Sequence, residues 1–90
     1  MKYVVFYSSG QTFILSGQWL GVEKLADKLI APVIEDDNGR MNIVDPRALV
    51  VSEDSKVIYN GREWRKQMSS ALRSAMPKDW PERVLRKLRL

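Results

Sequence analysis

The sequence predicts a single α+β domain spanning residues 1–90, in which a small antiparallel sheet of hairpins packs on one helix and two basic amphipathic helices follow. Short apolar and aromatic runs separated by turn residues occupy most of residues 1–60 and indicate strands. Apolar residues with helical spacing occur once within that part and twice after it. The length of 90 residues favours one hydrophobic core, because two cores would each bury too little apolar surface.

A β-hairpin is expected first. Residues 2–7 and 12–15 are rich in β-branched and aromatic residues, and the Ser-Ser-Gly-Gln sequence between them has the composition of a turn. Residues 16–21 are predicted to form a connector, because Gly17 and Gly21 would each cost a helix about 1 kcal/mol relative to alanine.

The central helix is predicted at residues 22–30. Apolar residues recur there at i, i+3, i+4, i+7 and i+8, and the charged residues fall on the opposite side. The apolar positions are Val22, Leu25, Ala26, Leu29 and Ile30. Pro32 ends the helix, because the residue before a proline avoids the helical conformation. This helix is expected to be the main packing element of the sheet.

The Asn38-Gly39 pair predicts a second hairpin, because this dipeptide between apolar runs is a strong hairpin signal. The flanking strands are residues 33–35 and 40–44. A calcium loop is the rival interpretation of the acidic residues nearby. An EF-hand counted from Asp36 needs glycine at position 6 and glutamate at position 12, whereas glycine comes at position 4 and Arg47 at position 12. The calcium loop is therefore rejected.

Two short strands and two helices complete the prediction. The strands are residues 48–51 and 56–59. The first helix covers residues 60–76, with Asn60 as its cap and with Trp64, Met68 and Leu72 on its apolar side. The second helix covers residues 79–90 and begins with Asp-Trp-Pro-Glu, which is typical of a capped helix start.

The composition excludes several classes of function. The chain contains no cysteine and no histidine, which excludes disulfide scaffolds, cysteine-ligated metals and catalysis by a thiol or an imidazole. No apolar run approaches the roughly 20 residues that a membrane-spanning helix needs. No metal, cofactor or membrane partner is expected, and a reducing cytoplasm is the expected location.

Catalysis is not expected. A serine beside a basic residue occurs at Ser55-Lys56, but that pair lies in a predicted turn and lacks any nucleophile motif. The carboxylate pairs Asp36-Asp37 and Glu53-Asp54 also lie in predicted turns, where acidic residues are ordinary. A glycine-rich phosphate loop is absent. The sequence therefore predicts a protein that is not an enzyme.

Positive charge is concentrated in the last third of the chain. Residues 1–60 carry six basic and eight acidic side chains, whereas residues 61–90 carry nine basic and three acidic ones. Such asymmetry favours an anionic partner, although solvated helix faces are the alternative explanation. Arginine outnumbers lysine there by six to three, which suits bidentate contacts with phosphate or carboxylate. The candidate partner- or nucleic-acid-binding residues are Arg62, Arg65, Lys66, Arg73, Arg83, Arg86, Lys87 and Arg89.

Residues 42–53, Asn-Ile-Val-Asp-Pro-Arg-Ala-Leu-Val-Val-Ser-Glu, resemble a strand element of small proteins of bacteriophages and other mobile elements. The pattern there is Ile-Asn, three variable residues, Ile-Val, one variable residue and Ile-Glu. Those proteins also place a hairpin and a short helix ahead of the element, so the resemblance covers residues 2–53. Asp45, Leu49 and Ser52 depart from the pattern. The resemblance implies an accessory protein that binds a host protein or nucleic acid.

The leading hypothesis is therefore a non-enzymatic, phage-type accessory protein in the bacterial cytoplasm. It would act on a host protein or on nucleic-acid machinery through its Arg-rich C-terminal face. Two alternatives stay open. One is direct binding of nucleic acid. The other is a structural or assembly role in which the last helix mediates oligomerisation, for instance as a homodimer.

Overall fold

The protein is built mainly from β-strands. The computed structural model describes residues 1–26, 29–74 and 86. Its strands are β1 (Lys2–Phe6), β2 (Thr12–Ala26), β3 (Leu29–Asp36), β4 (Met41–Ile43), β5 (Leu49–Ser52) and β6 (Val57–Asn60). A 3-10 turn (Arg65–Gln67) and one short helix, α1 (Ser70–Ser74), follow the strands. Within the described part of the chain, no helix is long and apolar enough to cross a membrane.

All six strands belong to one antiparallel sheet, which curves into a half-barrel with the order β4-β3-β2-β1-β5-β6. The predicted α+β class is therefore wrong. The predicted hairpins are confirmed: β1 pairs with β2, and β3 pairs with β4. The predicted strands after residue 47 are also present, each shifted by one residue toward the C-terminus.

The predicted central helix at residues 22–30 is wrong, because residues 22–26 belong to β2 and residues 29–30 to β3, the two strands of a long hairpin. Val22 pairs with Pro32 and Lys24 with Ile30 across this hairpin. Two irregularities in β2, between Trp19 and Gly21 and between Lys24 and Ala26, interrupt the strand. A bulge inserts one extra residue and shifts the alternation of side chains. The apolar residues of β2 consequently lack a period of two, and together with Leu29 and Ile30 of β3 their spacing matches that of a helix by chance.

The predicted connector at residues 16–21 lies within β2 and joins the two halves of the sheet. The first part of β2 pairs with β1, ending at the pair Lys2–Ser16, and the second part pairs with β3, beginning at Gly17–Asp36. A Cβ atom on Gly17 would lie 1.9 Å from the backbone oxygen of Glu35. Only glycine therefore allows the two strands to approach this closely.

Apolar side chains cover both faces of the sheet. The first cluster consists of Tyr3, Val5, Ile34, Val44, Ala48, Val50 and Tyr59. The second, on the opposite face, combines Leu49 and Val51 of β5 with Met68. Every residue of β5 is buried, and its apolar side chains alternate between the two clusters, with Val50 in the first and Leu49 and Val51 in the second. The segment after β6 therefore covers the back of the sheet.

The turn of the second hairpin is organised by Asp36. The N–H of Gly39 donates to the carbonyl of Asp36 at 3.0 Å, and the Asp36 carboxylate accepts the N–H groups of Asn38 and Arg40, both at 2.9 Å. The hydrogen bond from the Arg40 N–H is the main reason that the pKa of Asp36 lies below its ordinary value. Gly39 has φ of +80°, which confirms the predicted positive φ.

We expect Gly39→Ala to lower the free energy of unfolding by about 1 kcal/mol, because a side chain at this φ crowds its own backbone. No atom outside residues 38–40 lies within 4 Å of the added Cβ position, so the loss measures the local backbone conformation. Gly39→Asn is the matched control and should lose clearly less, because asparagine tolerates the left-handed region. Urea titration of both variants measures the difference, and equal losses would contradict the assignment.

The predicted helix at residues 60–76 is also wrong in most of its length. Residues 61–64 form turns, and Met68 has extended backbone angles, so α1 contains only five residues. Asn60 does not cap a helix; its side-chain oxygen accepts the N–H of Arg62 two residues later, which closes a turn. Apart from Arg86, the predicted helix at residues 79–90 lies outside the described residues.

Candidate functional site

Three basic side chains and two hydroxyls surround one depression on the surface formed by the 3-10 turn and α1. We call it the basic depression; it has a volume of about 420 Å³ and is lined by Arg65, Lys66, Ser70, Arg73 and Ser74. The two ends of this short segment therefore converge on one place. Such a concave group of cations and hydroxyl donors is suited to an anion with several oxygen atoms.

Apolar anchors fix the segment that carries the basic depression. Met68 is buried against Leu49 and Val51, and Leu72 packs on the same cluster. Trp64 contacts both clusters and stacks on Tyr59, with ring centroids 6.1 Å apart and an interplanar angle of 23°. Because these anchors alternate with the basic residues along the chain, the charged side chains are left on the outer side.

Tyr59 in turn ties this region to the sheet. Its side chain is fully buried, and its hydroxyl donates a hydrogen bond to the carbonyl oxygen of Pro46. Burial raises the pKa of Tyr59, with the nearby charge of Asp45 acting in the same direction, so the hydroxyl keeps its proton. Trp64 therefore stacks on a neutral, buried tyrosine that is hydrogen-bonded to the loop before β5.

Local hydrogen bonds order α1. The hydroxyl of Ser69 accepts the N–H of Leu72 at 3.4 Å, as a serine does before the first turn of a helix. The hydroxyl of Ser74 donates to the carbonyl of Ser70 at 2.9 Å. The Arg73 guanidinium donates to the hydroxyl of Ser70 at 3.3 Å, which directs it toward the basic depression.

The cations of the basic depression are available to a ligand. The ion pairs in the described part of the chain are Arg47–Asp45 at 2.6 Å and Lys56–Asp54 at 3.8 Å. Arg65, Lys66 and Arg73 therefore have no carboxylate partner among the described residues, and they keep a formal charge of about +3 close together. Repulsion between them is relieved when an anion binds.

The structure brings together three of the eight predicted binding residues: Arg65, Lys66 and Arg73. Arg62 is exposed but does not line the basic depression, so the predicted stripe that joined it to Lys66 and Arg73 does not form. Arg86 is exposed. The remaining predictions, Arg83, Lys87 and Arg89, lie outside the described residues.

Sequence reasoning missed the two serines of the basic depression. Ser70 and Ser74 are four residues apart, which places both on one side of a helical turn. The spacing of Ser70 and Arg73 by three residues was a further signal.

A second depression of about 550 Å³ lies beside the first hairpin and has a different character. Its aromatic side chains, Tyr7 and Phe13, meet edge to face with centroids 5.1 Å apart. Arg47 donates two side-chain hydrogen bonds to Asp45, at 3.0 and 2.6 Å. Burial alone raises the pKa of Asp45, but the hydrogen bonds from Arg47 outweigh it and hold the pKa below its ordinary value. The pair is neutral overall, so this depression does not attract anions.

The acidic side chains of the described segments do not form a metal site, since no three of them come together as possible ligands within residues 1–26 and 29–74 or at position 86. Asp36 and Asp45 instead accept hydrogen bonds within their own turns.

Comparison of the chain with protein-family models, with curated proteins and with solved structures finds no match. The resemblance of residues 42–53 to a strand element of phage proteins therefore stays a prediction. The geometry of the basic depression is the main observation from which a function can be argued.

Proposed function

We propose that the protein is a non-enzymatic nucleic-acid-binding protein that contacts the phosphate backbone through the basic depression. The observation that carries the proposal is the convergence of Arg65, Lys66 and Arg73 without carboxylate partners among the described residues. Each phosphate bound by such a cation releases condensed counterions, which is the main source of affinity in backbone binding.

The lining of the basic depression favours phosphate over other ligands. Arginine presents a planar fork that matches two phosphate oxygens, and the serine hydroxyls supply further donors. The residues that line it include no aromatic side chain on which a base would stack. Binding should consequently depend on charge and little on nucleotide sequence.

The proposal is compatible with a phage-type accessory protein in the bacterial cytoplasm, as the resemblance of residues 42–53 implies. In that role the protein would bind nucleic acid on which proteins of the host also act. An acidic surface of a host protein would present similar charge to the basic depression, and the experiment below separates it from nucleic acid.

We expect the wild-type protein to bind a fluorescent DNA duplex at low salt, with affinity falling steeply as salt rises. Three phosphate contacts contribute a slope of about −2.7 to log K against log salt concentration. The triple variant Arg65→Ala, Lys66→Ala, Arg73→Ala should lose that contribution. Fluorescence anisotropy across a salt series measures the slope for both proteins, and circular dichroism verifies that the variant is folded.

The matched control removes three exposed cations from other parts of the surface: Lys2→Ala, Lys24→Ala and Arg40→Ala. It changes the net charge equally but should keep most of the slope. Equal losses in the two triple variants would mean that charge acts diffusely and that the basic depression has no special role. Absence of DNA and RNA binding by the wild type at low salt would refute the nucleic-acid proposal. Nuclease-resistant capture of an acidic protein by the wild type alone would identify a protein partner instead.

A further inference from the structure

Among the described residues, strand β4 is the last strand at one edge of the sheet. Two backbone hydrogen bonds at the ends of β4 establish which of its groups face β3. The N–H of Asp36 donates to the carbonyl of Arg40 at 2.8 Å, and the N–H of Val44 donates to the carbonyl of Pro32 at 2.9 Å. Hydrogen-bonded pairs alternate along an antiparallel ladder, so the N–H and C=O groups of Asn42 face β3. The N–H and C=O groups of Met41 and Ile43 therefore point away from the sheet, and within the described chain no strand lies beside them.

The side chains of this edge are apolar and exposed. Met41 is 57% exposed and Ile43 is 60% exposed, and both point to the same face of β4. Proteins usually protect an edge by keeping the strand very short, with charges, with a bulge or with a covering segment. The three residues of β4 make this edge short, but none of them is charged. The opposite edge strand, β6, shows such protection, since the β5–β6 ladder is irregular between Val50 and Val51. The β3–β4 ladder is regular.

We propose that β4 is a self-association surface, on which β4 of a second copy pairs in antiparallel orientation about a two-fold axis at Asn42. This register places Met41 of each copy opposite Ile43 of the other. The N–H and C=O of Met41 then bond the C=O and N–H of the facing Ile43, and the symmetric pair doubles this to four hydrogen bonds. The two sheets join into one continuous sheet.

When two copies of β4 pair in this register, their side chains match each other as well as their backbone groups do. In this register the four exposed apolar side chains form two cross-strand pairs, Met41 with Ile43, on one face of the joined sheet. Ile43 also borders an apolar depression that Leu25 and Leu72 line, so the facing Met41 would lie next to existing apolar surface.

The polar residue at the axis does not oppose this pairing. The amide nitrogen of the Asn42 side chain already donates to the carboxylate of Asp36 at 3.3 Å and lies 3.4 Å from the carbonyl oxygen of Ile34. Pairing of the edges therefore requires no loss of the hydrogen bonds that the Asn42 side-chain amide nitrogen makes within its own copy. Three residues on each side make a small interface, so we expect weak association with a dissociation constant of roughly 10 μM to 1 mM.

The first test is sedimentation equilibrium of the wild type and of Ile43→Pro from about 10 μM to 1 mM. Proline at position 43 removes an outward N–H but no bond to β3, and edge strands tolerate proline at such a position. We expect the wild type to dimerise as concentration rises and Ile43→Pro to remain monomeric. Ile43→Lys is a second variant that blocks pairing by charge and keeps the backbone. Val57→Lys, on the β6 edge, is the matched control and should dimerise like the wild type.

The second test follows individual amides by hydrogen exchange. The Met41 and Ile43 amides should exchange rapidly in dilute protein and become protected at high concentration. The Asn42 amide faces β3 and should be protected at both. A wild type that stays monomeric at 1 mM would overturn the proposal, as would dimerisation that Ile43→Pro and Ile43→Lys leave unchanged. Protection of Met41 and Ile43 that is independent of concentration would also overturn it.

Discussion

Gly17→Ala should lower the free energy of unfolding by about 3 kcal/mol or more, the largest effect expected of a single methyl group in this protein. The added Cβ would lie 1.9 Å from the carbonyl oxygen of Glu35 and 2.8 Å from the Cα of Asp36. Both are backbone atoms of the neighbouring strand and cannot rotate away. The β2–β3 ladder must therefore open where the two halves of the sheet meet.

Urea unfolding followed by tryptophan fluorescence measures the loss. Gly10→Ala is the control, because no atom outside residues 9–11 lies within 4 Å of the Cβ position there. Gly10 has φ of +96°, so the control should still lose about 1 kcal/mol from backbone strain. A Gly17 variant no less stable than the Gly10 variant would contradict the close approach of β2 and β3.

Leu49→Ala should cost about 2–5 kcal/mol, whereas Leu25→Ala should cost less than about 1 kcal/mol. Leu49 is completely buried under Met68, and its truncation leaves a cavity between β5 and the C-terminal segment. Leu25 is 42% exposed near the end of the long hairpin, so its truncation leaves little cavity. Denaturant titration of the two leucine variants under identical conditions gives the comparison.

The same pair of variants distinguishes the strand structure from the predicted helix. On a helix at residues 22–30, Leu25 would point into the core and its truncation would be as costly as that of Leu49. A loss above about 2 kcal/mol for Leu25→Ala would therefore favour the helix. The order of the two losses is the decisive result, because both changes remove the same atoms.

Turn chemistry made part of the fold predictable. Gly39 and the glycine of the first turn occupy positions that require positive φ, and sequence alone located both hairpins. The β2–β3 hairpin was not predictable in this way, because bulges removed the alternation that identifies a strand. The sequence correctly identified three apolar anchors in the C-terminal segment: Trp64, Met68 and Leu72. Their spacing of four residues predicted a helix, but a segment of turns packed on the sheet places them in the same way.

The positive charge of the candidate site was predictable from the sequence, but the arrangement of its side chains in space was not. The excess of basic residues after residue 60 identified the region, and Arg65, Lys66 and Arg73 were among the candidates. Their convergence depends on where Met68 is buried and Leu72 packs against the residues of β5, which is a long-range contact. A charge count holds no information on such contacts, so the contribution of Ser70 and Ser74 became visible only in the fold.

The order of strands has a consequence for synthesis on the ribosome. β1 is translated first, yet it lies between β2 and β5, and Tyr3 must pair with Ser52. The other ladders join consecutive strands and can form as soon as each hairpin emerges. One edge of β1 therefore stays open on the nascent chain until residues 49–52 have been synthesised. Closing the long β1–β5 loop is the entropically costly step, and a pause in translation before β5 would prolong the exposure of an apolar strand edge.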